Sequence, residues 1–457
     1  MNDFDIDIHD YCSISSLADA TLTKQVYSKN KNLYKLGGII REFMQQAVHG
    51  GRCMTAYNKK WHSTTPIVDY DAVSLYASAM HRLYMVEGTP SVIETDEQRS
   101  YEFFQNQSAY VVEIEITKVN KHFAFPLLVF EDDEGNNFNN DVIDKPVRTA
   151  VDNIYLEDLI EFQKIEFTII KGYFWTGNRD YSIQKVIGDI FNKRAAYKKE
   201  KNPLEVIYKL IMNSLNGKTI QKPVDYEIKY INENDIGKYW SKNYNKIIES
   251  SKIADSRNKT HVVKTQKQID THFTFNLFGI HILSMSKRIM NEVMCLAHDL
   301  NCQIYYQDTD SMHIRIDDLP RLEEAFKIKY NRDLKGTQLG NFHSDFPLNA
   351  LYASESYFLG KKMYIDKLVL PENKTSNMFR MKGIKQSAVE AKAKDSDNSN
   401  DSLMKLYKYI YKGKTVEFDL TNGSPCFEFE KDFTVASLDT FKRRIKTSLE
   451  KGIPPKG

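Results

Sequence analysis

The sequence predicts an α+β fold, and three stretches carry that prediction. Asn301 to Ile316 holds runs rich in Ile and Tyr on either side of Asp308-Thr309-Asp310-Ser311, with the near period-2 alternation of two strands joined by a very tight turn. Pro66 to Met80 begins as an apolar β-type run, reaches Asp69 and Asp71, and then switches to helix formers, with Ser74 placed to cap the new helix. Between residues 181 and 217, apolar residues recur at helical spacing in two runs separated by Asn202-Pro203, the pattern of a helical hairpin.

At 457 residues and 53.1 kDa the chain can bury a large core and divide into several subdomains. A composition 41% hydrophobic and 27% charged is that of a globular protein and excludes the disordered class. Net charge is only +2, so any basic surface for a polyanion must be local. The five cysteines, Cys12, Cys53, Cys295, Cys302 and Cys426, form no Cys-x-x-Cys pair and leave one over in any pairing scheme, which favours reduced thiols and argues against structural zinc. No uninterrupted apolar run is long enough to span a bilayer, and the acidic start Met-Asn-Asp-Phe-Asp is no signal peptide. The expectation is an intracellular protein, in the cytoplasm or at a viral or phage replication site, with no membrane partner.

Taken in order, residues 1 to about 48 hold the acids Asp3, Asp5, Asp7 and Asp10, read as a solvated terminus rather than a metal site, and then an amphipathic pattern through Leu36 and Phe43. Adjacent Gly50 and Gly51 before Arg52 permit positive φ and close backbone approach to a partner, although an ordinary turn needs the same residues. From about 85 to 178 the pattern is of mixed strands and short helices, with Tyr110 to Ile116 alternating and Glu131 to Asn137 an exposed acidic loop. In the helical hairpin, Ile183, Val186, Ile187, Ile190 and Phe191 mark one apolar face and Leu204, Ile207, Tyr208, Ile211 and Met212 the other. Arg194 and Lys198 lie one turn apart on the first helix, and Lys209 and Asn213 one turn apart on the second, so both helices can present donors to one ligand, or simply a wet face to solvent.

Residues 219–275 are lysine-rich and weakly periodic, as in an inserted or flexible subdomain. Phe275 to Leu296 reads as a buried helix with polar breaks at Lys287, Arg288 and Glu292. Turns and strands follow around Leu339-Gly340 and Phe358 to Ile365, with a basic turn at Arg380 to Lys385, a polar loop at Asp395 to Ser402 and a basic helix face at Phe441 to Lys446.

Along an extended backbone Asp308 and Asp310 project together while Thr309 turns away. Carboxylates held that close repel unless a cation lies between them, and hard oxygen ligands suit Mg²⁺ or Mn²⁺; an acidic turn would use the same residues. The offsets of the Gly and distal Glu do not fit an EF-hand loop. Asp71, at the carboxyl end of its strand, is a candidate third carboxylate.

Four elements then recur in a telling order: an Asp opening Ser-Leu-Tyr, a Lys-x-x-x-Asn-Ser-x-x-Gly, a Tyr-x-Asp-Thr-Asp-Ser and a Lys-x-Tyr. They resemble motifs A, B, C and Lys-x-Tyr of the family B DNA polymerases, and Gly50-Gly51 resembles the Tyr-x-Gly-Gly element of the protein-primed branch that serves phages, adenoviruses and linear plasmids. The resemblance spans roughly residues 45 to 385. It implies a right-hand fold: a palm with an antiparallel sheet, fingers made of the helical hairpin, and a thumb. It also implies template-directed addition of deoxynucleotides to a 3′-hydroxyl through two divalent ions.

By that resemblance the metal site is Asp71, the adjoining Ala72 backbone, Asp308 and Asp310, with Lys209 completing the catalytic set. Ser74, Leu75, Tyr76, Arg194, Lys198, Lys209 and Asn213 hold the nucleotide; Tyr76 selects the deoxy sugar by occupying the space of a 2′-hydroxyl. Gly50, Gly51, Tyr306, Thr309, Ser311, Lys362, Tyr364 and Lys382 line the DNA and primer, and the basic face at Lys442 to Lys446 tracks duplex phosphates.

The implied divisions are 1–48 as a remnant or linker, 49–84 as palm with motif A, 85–178 as a palm insertion and candidate terminal-protein-binding region, and 179–218 as fingers. Residues 219–275 form an insertion of template-encircling or strand-displacement type, 276–370 palm again, and 371–457 the thumb. The implied partners are template and primer DNA, deoxynucleoside triphosphates, a terminal protein primer and a separate exonuclease. The last rests on there being about 50 residues before Gly50, too few for a proofreading fold, so that editing is either supplied by another chain or lost. Three positions depart from the family pattern: Ala77 replaces a Pro, Asn216 a Tyr, and Val48 the Tyr before the glycine pair. The contrasting expectation is an inactive, polymerase-derived DNA-binding or replisome scaffold.

Overall fold

The computed structural model describes residues 6–131, 135, 137–222, 224–253, 259–267, 272–347, 350–396, 401–421, 426–427, 436–437 and 440–452. Asp3, Asp5, most of the acidic 131–137 loop and residues 397–400 of the polar run lie outside the described residues.

The chain opens on α1 (Ile14–Leu22), whose N-cap Ser13 hydroxyl accepts from the Ser16 amide, and α2 (Gly38–Gln46). Three short strands follow, β1 (Cys53–Thr55), β2 (Trp61–Ser63) and β3 (Ile67–Ala72), and then α3 (Leu75–Arg82). The alternating run at Tyr110 becomes β4 (Ala109–Val119), which pairs with β5 (Val147–Asp152) on one side. After α4 (Asn153–Asp158) the chain returns as β6 (Ile165–Trp175) on the other side of β4. With the short Ser91–Val92 strand these make a four-stranded sheet, and Val112, Ile114, Ile116, Val151, Leu156 and Ile169 belong to a core of its own.

The helical hairpin is α5 (Ser182–Lys199) and α6 (Leu204–Thr219), burying Ile183, Ile187 and Ile190 from the first helix and Tyr208, Ile211, Met212 and Leu215 from the second. The described residues of the lysine-rich stretch beyond it hold β7 (Tyr226–Asn232), α7 (Glu233–Asn243), β8 (Ile247–Lys252) and β9 (Thr260–Gln266), the strands forming a sheet in the order β7-β9-β8. Its strands carry few inward residues, Val263 and Thr265 being buried, which is why periodicity is weak there.

Next comes α8 (Asn276–Asp299), buried on nearly every side as befits a core helix rather than an amphipathic one. Its polar side chains are matched: Arg288 reaches Asp158 at 2.6 Å and Glu157 at 2.9 Å, and Glu292 receives Arg82 at 3.1 Å and Arg332 at 2.6 Å. Lys287 lies over the Tyr155 ring at 4.3 Å, and burial lowers its pKa to about 8.

The strand, turn and strand expected at 301–316 are β10 (Ile304–Asp308) and β11 (Ser311–Arg315). They lead through α9 (Leu319–Tyr330) and β12 (Phe342–Ser344) to β13 (Tyr352–Gly360), β14 (Met363–Val369) and β15 (Thr375–Met381). Among the described residues these strands join β1 to β3 in a nine-stranded antiparallel sheet, ordered β1-β10-β11-β3-β13-β14-β15, with β12 added to β3 and β2 to β13. The two acid-bearing strands are therefore neighbours, Ser311 standing opposite Asp71.

The last region contains α10 (Gln386–Ser396), α11 (Ser402–Tyr411), β16 (Val416–Thr421) and β17 (Thr440–Ile445) around a third core that includes Val389, Tyr407, Ile410 and Phe418. Here the expected basic helix at Phe441 to Lys446 is instead a strand paired with β16. Lys442 and Arg444 are drawn to Glu417 at 3.0 and 2.9 Å, and Arg443 donates to the Gly383 carbonyl at 3.1 Å. That stretch is thus partly neutralised rather than a free cationic face.

Beyond β17 the chain returns to its first strands. The Lys60 amide donates to the Glu450 carbonyl and the Gly452 amide to the Lys60 carbonyl, both at 2.8 Å. Gly452 lies so close on Trp61 that a Cβ there would stand 2.3 Å from the indole, and Trp61 is 2% exposed.

Candidate active site

The tip of the β10–β11 hairpin is tight enough to put Thr309 in the left-handed region, φ 62°. The Thr309 amide donates to the Arg52 carbonyl at 2.8 Å, and Gly51 packs against the threonine: a Cβ on Gly51 would sit 2.5 Å from Thr309 Cγ2. Arg52, 5% exposed, donates to the Phe125 and Pro126 carbonyls, Gln307 Oε1 and Asn291 Oδ1. Gly51 and Arg52 therefore buttress the tip from behind, whereas Gly50 has open space where a side chain would be.

The Ala72 amide, at the end of β3, donates to the Asp310 carbonyl at 2.8 Å and brings Asp71 beside Asp310. Both carboxyls are half-buried. Burial first, and then the charge of Asp310, pushes Asp71 up to about 8, with Asp345 and Asp69 adding to the shift and Lys209 opposing it. Asp310 is raised as well, mainly by burial. Asp308 has gone elsewhere: Lys362 Nζ lies 2.7 Å from its Oδ1, and the Tyr306 hydroxyl donates to its Oδ2 at 3.3 Å. Among the described residues no group of three or more His, Cys, Asp or Glu side chains is arranged to hold a metal ion. The residues nevertheless fit a hard divalent cation, because Mg²⁺ is commonly held by one or two carboxylates with its other positions filled by water and substrate phosphates. Asp71 and Asp310 are such a pair, and neither takes part in an ion pair among the described residues.

Ser74 does not cap α3. It is left-handed, φ 47°, and makes no side-chain cap bond, because its hydroxyl accepts from Arg194 Nη1 at 3.0 Å instead. Ser78 serves the backbone there, donating to the Val73 carbonyl at 2.7 Å. Arg194 also lies 3.5 Å from Glu205 on α6, so it links both helices of the hairpin to the palm. Leu75 is buried; Tyr76 is half-buried, its phenol raised by burial and by the nearby Asp310 charge. Lys198, Lys209 and Asn213 are exposed.

Several side chains expected along DNA are inside the protein. Tyr306 is fully buried, and its hydroxyl accepts from the Lys362 amide at 2.9 Å. Tyr364, 5% exposed, packs its ring against Tyr306 and His313. Ser311 is buried beside Asp69, whose pKa its hydrogen bond lowers. The two tyrosines support the hairpin rather than face a groove, because Tyr306 packs on Phe358 of β13 and on Tyr364 of β14. Thr309 and Lys362 remain accessible at the tip, and Lys382 is exposed in the turn before α10.

Sequence reading missed two features. Asp345, exposed just after β12, acts on both Asp71 and Asp310 because β12 pairs across β3; a lone Asp before Phe346-Pro347 gives no local signal. Behind the acid pair, His313 lies between Asp69 at 3.5 Å and Asp366 at 3.0 Å, and Asp366 accepts from Ser356 at 2.6 Å, all of them buried. Burial alone would lower the imidazole pKa, but the two carboxylates outweigh it and raise it to about 9. The parity of β11 that puts Ser311 beside Asp71 also puts His313 beside Asp69, the one clue to this cluster in the sequence.

Comparison with known proteins agrees with this architecture. A probable DNA polymerase of Ascobolus immersus is 24% identical over 413 residues, covering 89% of this chain and 31% of its own length, so the chain spans about a third of that curated relative. Phi29 DNA polymerase, solved with primer-template DNA and incoming nucleotides, superposes with a TM-score of 0.66 at 13% identity, over 96% of this chain and 68% of the other. Its complex with primer-template DNA alone gives 0.63 at 16% identity, over 94% and 67%. At such identities the likeness shows the fold, which is the polymerase right hand. The sequence model of the type B DNA polymerases, organellar and viral, matches residues 1–290, and the chain belongs to that family.

Proposed function

We propose that the chain is a DNA-directed DNA polymerase that adds deoxynucleotides to a 3′-hydroxyl. The observation that carries this reading is the pairing of Asp71 with Asp310 from adjacent strands, within the electrostatic reach of Lys209 on α6. Two divalent ions, Mg²⁺ or Mn²⁺, held by Asp71 and Asp310 with the Ala72 carbonyl and Asp308 nearby, would acidify the attacking hydroxyl and offset charge on the phosphates.

The chain's own residues do the rest. The 3′-oxygen bonds to the α-phosphorus as the α–β bridge breaks, pyrophosphate leaves, and the hydroxyl proton passes to solvent. Lys209 and Lys198, exposed on facing helices, neutralise the triphosphate, and Asn213, one turn from Lys209, lies beside the nascent sugar. Tyr76 closes the space a 2′-hydroxyl would enter. Arg194 keeps the Ser74 loop seated on the fingers. The Lys362–Tyr306 pair orients Asp308 at the primer end, and Lys382 meets backbone phosphates where the chain enters the thumb.

Protein priming belongs to the same reading, supported by the family resemblance and by residues 91–175 forming a sheet with its own core, a candidate dock for a terminal protein. Transfer of a labelled nucleotide onto a partner protein tests it; extension of nucleic-acid primers alone would remove it. The central test is primer extension on a defined template with Mg²⁺ or Mn²⁺ by the intact chain and by Asp310→Asn. The intact chain extends and the variant loses nearly all turnover; equal behaviour of the two would leave a DNA-binding scaffold.

A further inference from the structure

At the foot of the nine-stranded sheet, where α8 ends and β10 begins, the surface folds inward into a cavity of about 340 Å³. Cavities beside Tyr84 and beneath Thr309 measure about 20 and 10 Å³, room for a water molecule or so each. The larger one falls at the lower end of the range that small ligands occupy. It reaches Ile304, at the opposite end of β10 from Asp308 and therefore about 14 Å from the hairpin tip. Four of the residues lining it carry rings: Tyr57, Trp61, Phe125 and His298. Trp61 is 2% exposed and Phe125 5%, whereas Tyr57, 53% exposed, stands toward the mouth. Burial holds the His298 imidazole below its ordinary pKa, so at neutral pH that ring is uncharged. Buried Met294 and Ile304 add to the apolar wall. Ring-lined walls of this kind favour an aromatic guest, whose edges and faces meet theirs in addition to the area buried.

Charge decides what else the guest must carry. Among the described residues no Asp or Glu lines the cavity. Lys59 does line it, half-buried, and among those residues its amine takes part in no ion pair. The acids that act on Tyr57, His298 and Cys302 from nearby are already engaged. Asp141 accepts from the Phe123 amide at 2.8 Å and lies 3.3 Å from His122, and Asp299 takes Lys121 at 2.7 Å. Asp318 accepts from the Gln303 amide at 2.8 Å and takes Arg315 at 2.9 Å. A cationic guest would find no carboxylate here, and a neutral one would gain nothing from Lys59. An acid group on the guest meets an unclaimed ammonium, and charge-assisted contacts of that kind are the strong ones.

We propose that this cavity binds a small aromatic anion, its flat body among Tyr57, Trp61 and Phe125 and its acid group on Lys59. A nucleoside monophosphate and an aromatic carboxylate share that chemistry. The site lies away from the Asp71–Asp310 pair and needs neither metal nor DNA, so it stands or falls separately from the polymerase reading.

The probe is anilinonaphthalene sulfonate, an aromatic anion that fluoresces when its rings leave water, titrated into the full chain without metal. Phenylnaphthylamine, the same body without the acid group, is titrated in parallel. Lys59→Gln weakens binding of the sulfonate by about 10-fold, the worth of one charge-assisted contact, and leaves the neutral amine unchanged. Ala124→Trp, which fills the cavity from its wall, removes binding of both. Carbon-13 methyl spectra of the methionines give the location: the Met294 signal, identified by its loss in Met294→Leu, shifts when the sulfonate is added to the wild type. That readout survives even if Ala124→Trp does not fold. Displacement of the probe by deoxyadenosine monophosphate marks a nucleotide as the guest, and displacement by naphthoate alone marks an aromatic carboxylate. A Met294 signal that stays in place, a Lys59→Gln chain that does not distinguish the two probes, or a probe displaced by neither anion would overturn the proposal.

Discussion

Replacing Gly51 by Ala should cripple the hairpin tip without unfolding the protein. A Cβ at position 51 would stand 2.5 Å from Thr309 Cγ2 and 3.3 Å from Thr309 Cβ, whereas carbon atoms rest near 3.5–4.0 Å, so something must move by about 1 Å. Arg52 cannot yield, because its guanidinium is bonded to Phe125, Pro126, Gln307 and Asn291. Thr309 moves instead, and it lies between Asp308 and Asp310. Overpacking of this kind costs about 1–3 kcal/mol, a shift of a few degrees in Tm. A displacement of about 1 Å at reacting groups costs on the order of 100-fold in rate. Single-nucleotide incorporation by rapid quench, with Tm from calorimetry, would therefore show a variant that is folded and slow. Thr309→Ser, which deletes Cγ2, should be nearly silent alone and restore most of the rate in Gly51→Ala. A Gly51→Ala chain as fast as the wild type, or a double variant no faster than Gly51→Ala, would refute the buttress.

His313 should make stability depend on pH. Its raised pKa, about 9, means the native state keeps a proton the unfolded chain releases; that contribution is complete below about 6.5 and lost as pH rises through 9, up to about 3 kcal/mol. Buried Lys287, held down near 8, titrates in the opposite sense, so Tm of the wild type minus that of His313→Asn from pH 6 to 10 isolates the effect, and a flat difference would count against it. Arg52→Met strands several buried acceptors and should cost at least about 3 kcal/mol in urea unfolding; a loss under 1 kcal/mol would mean the arginine is not an anchor. Lys362→Met should change stability by no more than about 1 kcal/mol, since the lysine is half exposed, yet slow incorporation on the order of 10-fold or more by freeing Asp308. An unchanged rate would show that the pair orients nothing.

What the sequence makes legible is what local periodicity encodes. The β10–β11 turn, the strand-to-helix switch after Asp71 and each helix of the α5–α6 hairpin rest on patterns local in sequence, and each forms where the pattern lies. Phe441 to Lys446 is different: aromatic and aliphatic residues separated by cations satisfy a helical and an extended spacing alike, and the choice is made by β16, twenty residues away. Ser74 has the chemistry of a helix cap but is taken by Arg194, a partner 120 residues on. Tyr306 and Tyr364 look like groove residues in a motif and are buried in a cluster of rings with Phe358 and His313. Asp345 and the Asp69–His313–Asp366 cluster exist only once strands far apart in sequence are paired.

The return of residues 450–452 to Lys60 and Trp61 sets a condition on biosynthesis. A chain emerging from the ribosome amino end first carries Trp61 for nearly four hundred residues before Gly452 arrives to cover it. Until then an indole and a strand edge stay open to other nascent chains, and such surfaces invite aggregation. The nine-stranded sheet can pair beforehand, but this clasp waits until residues 450–452 have emerged.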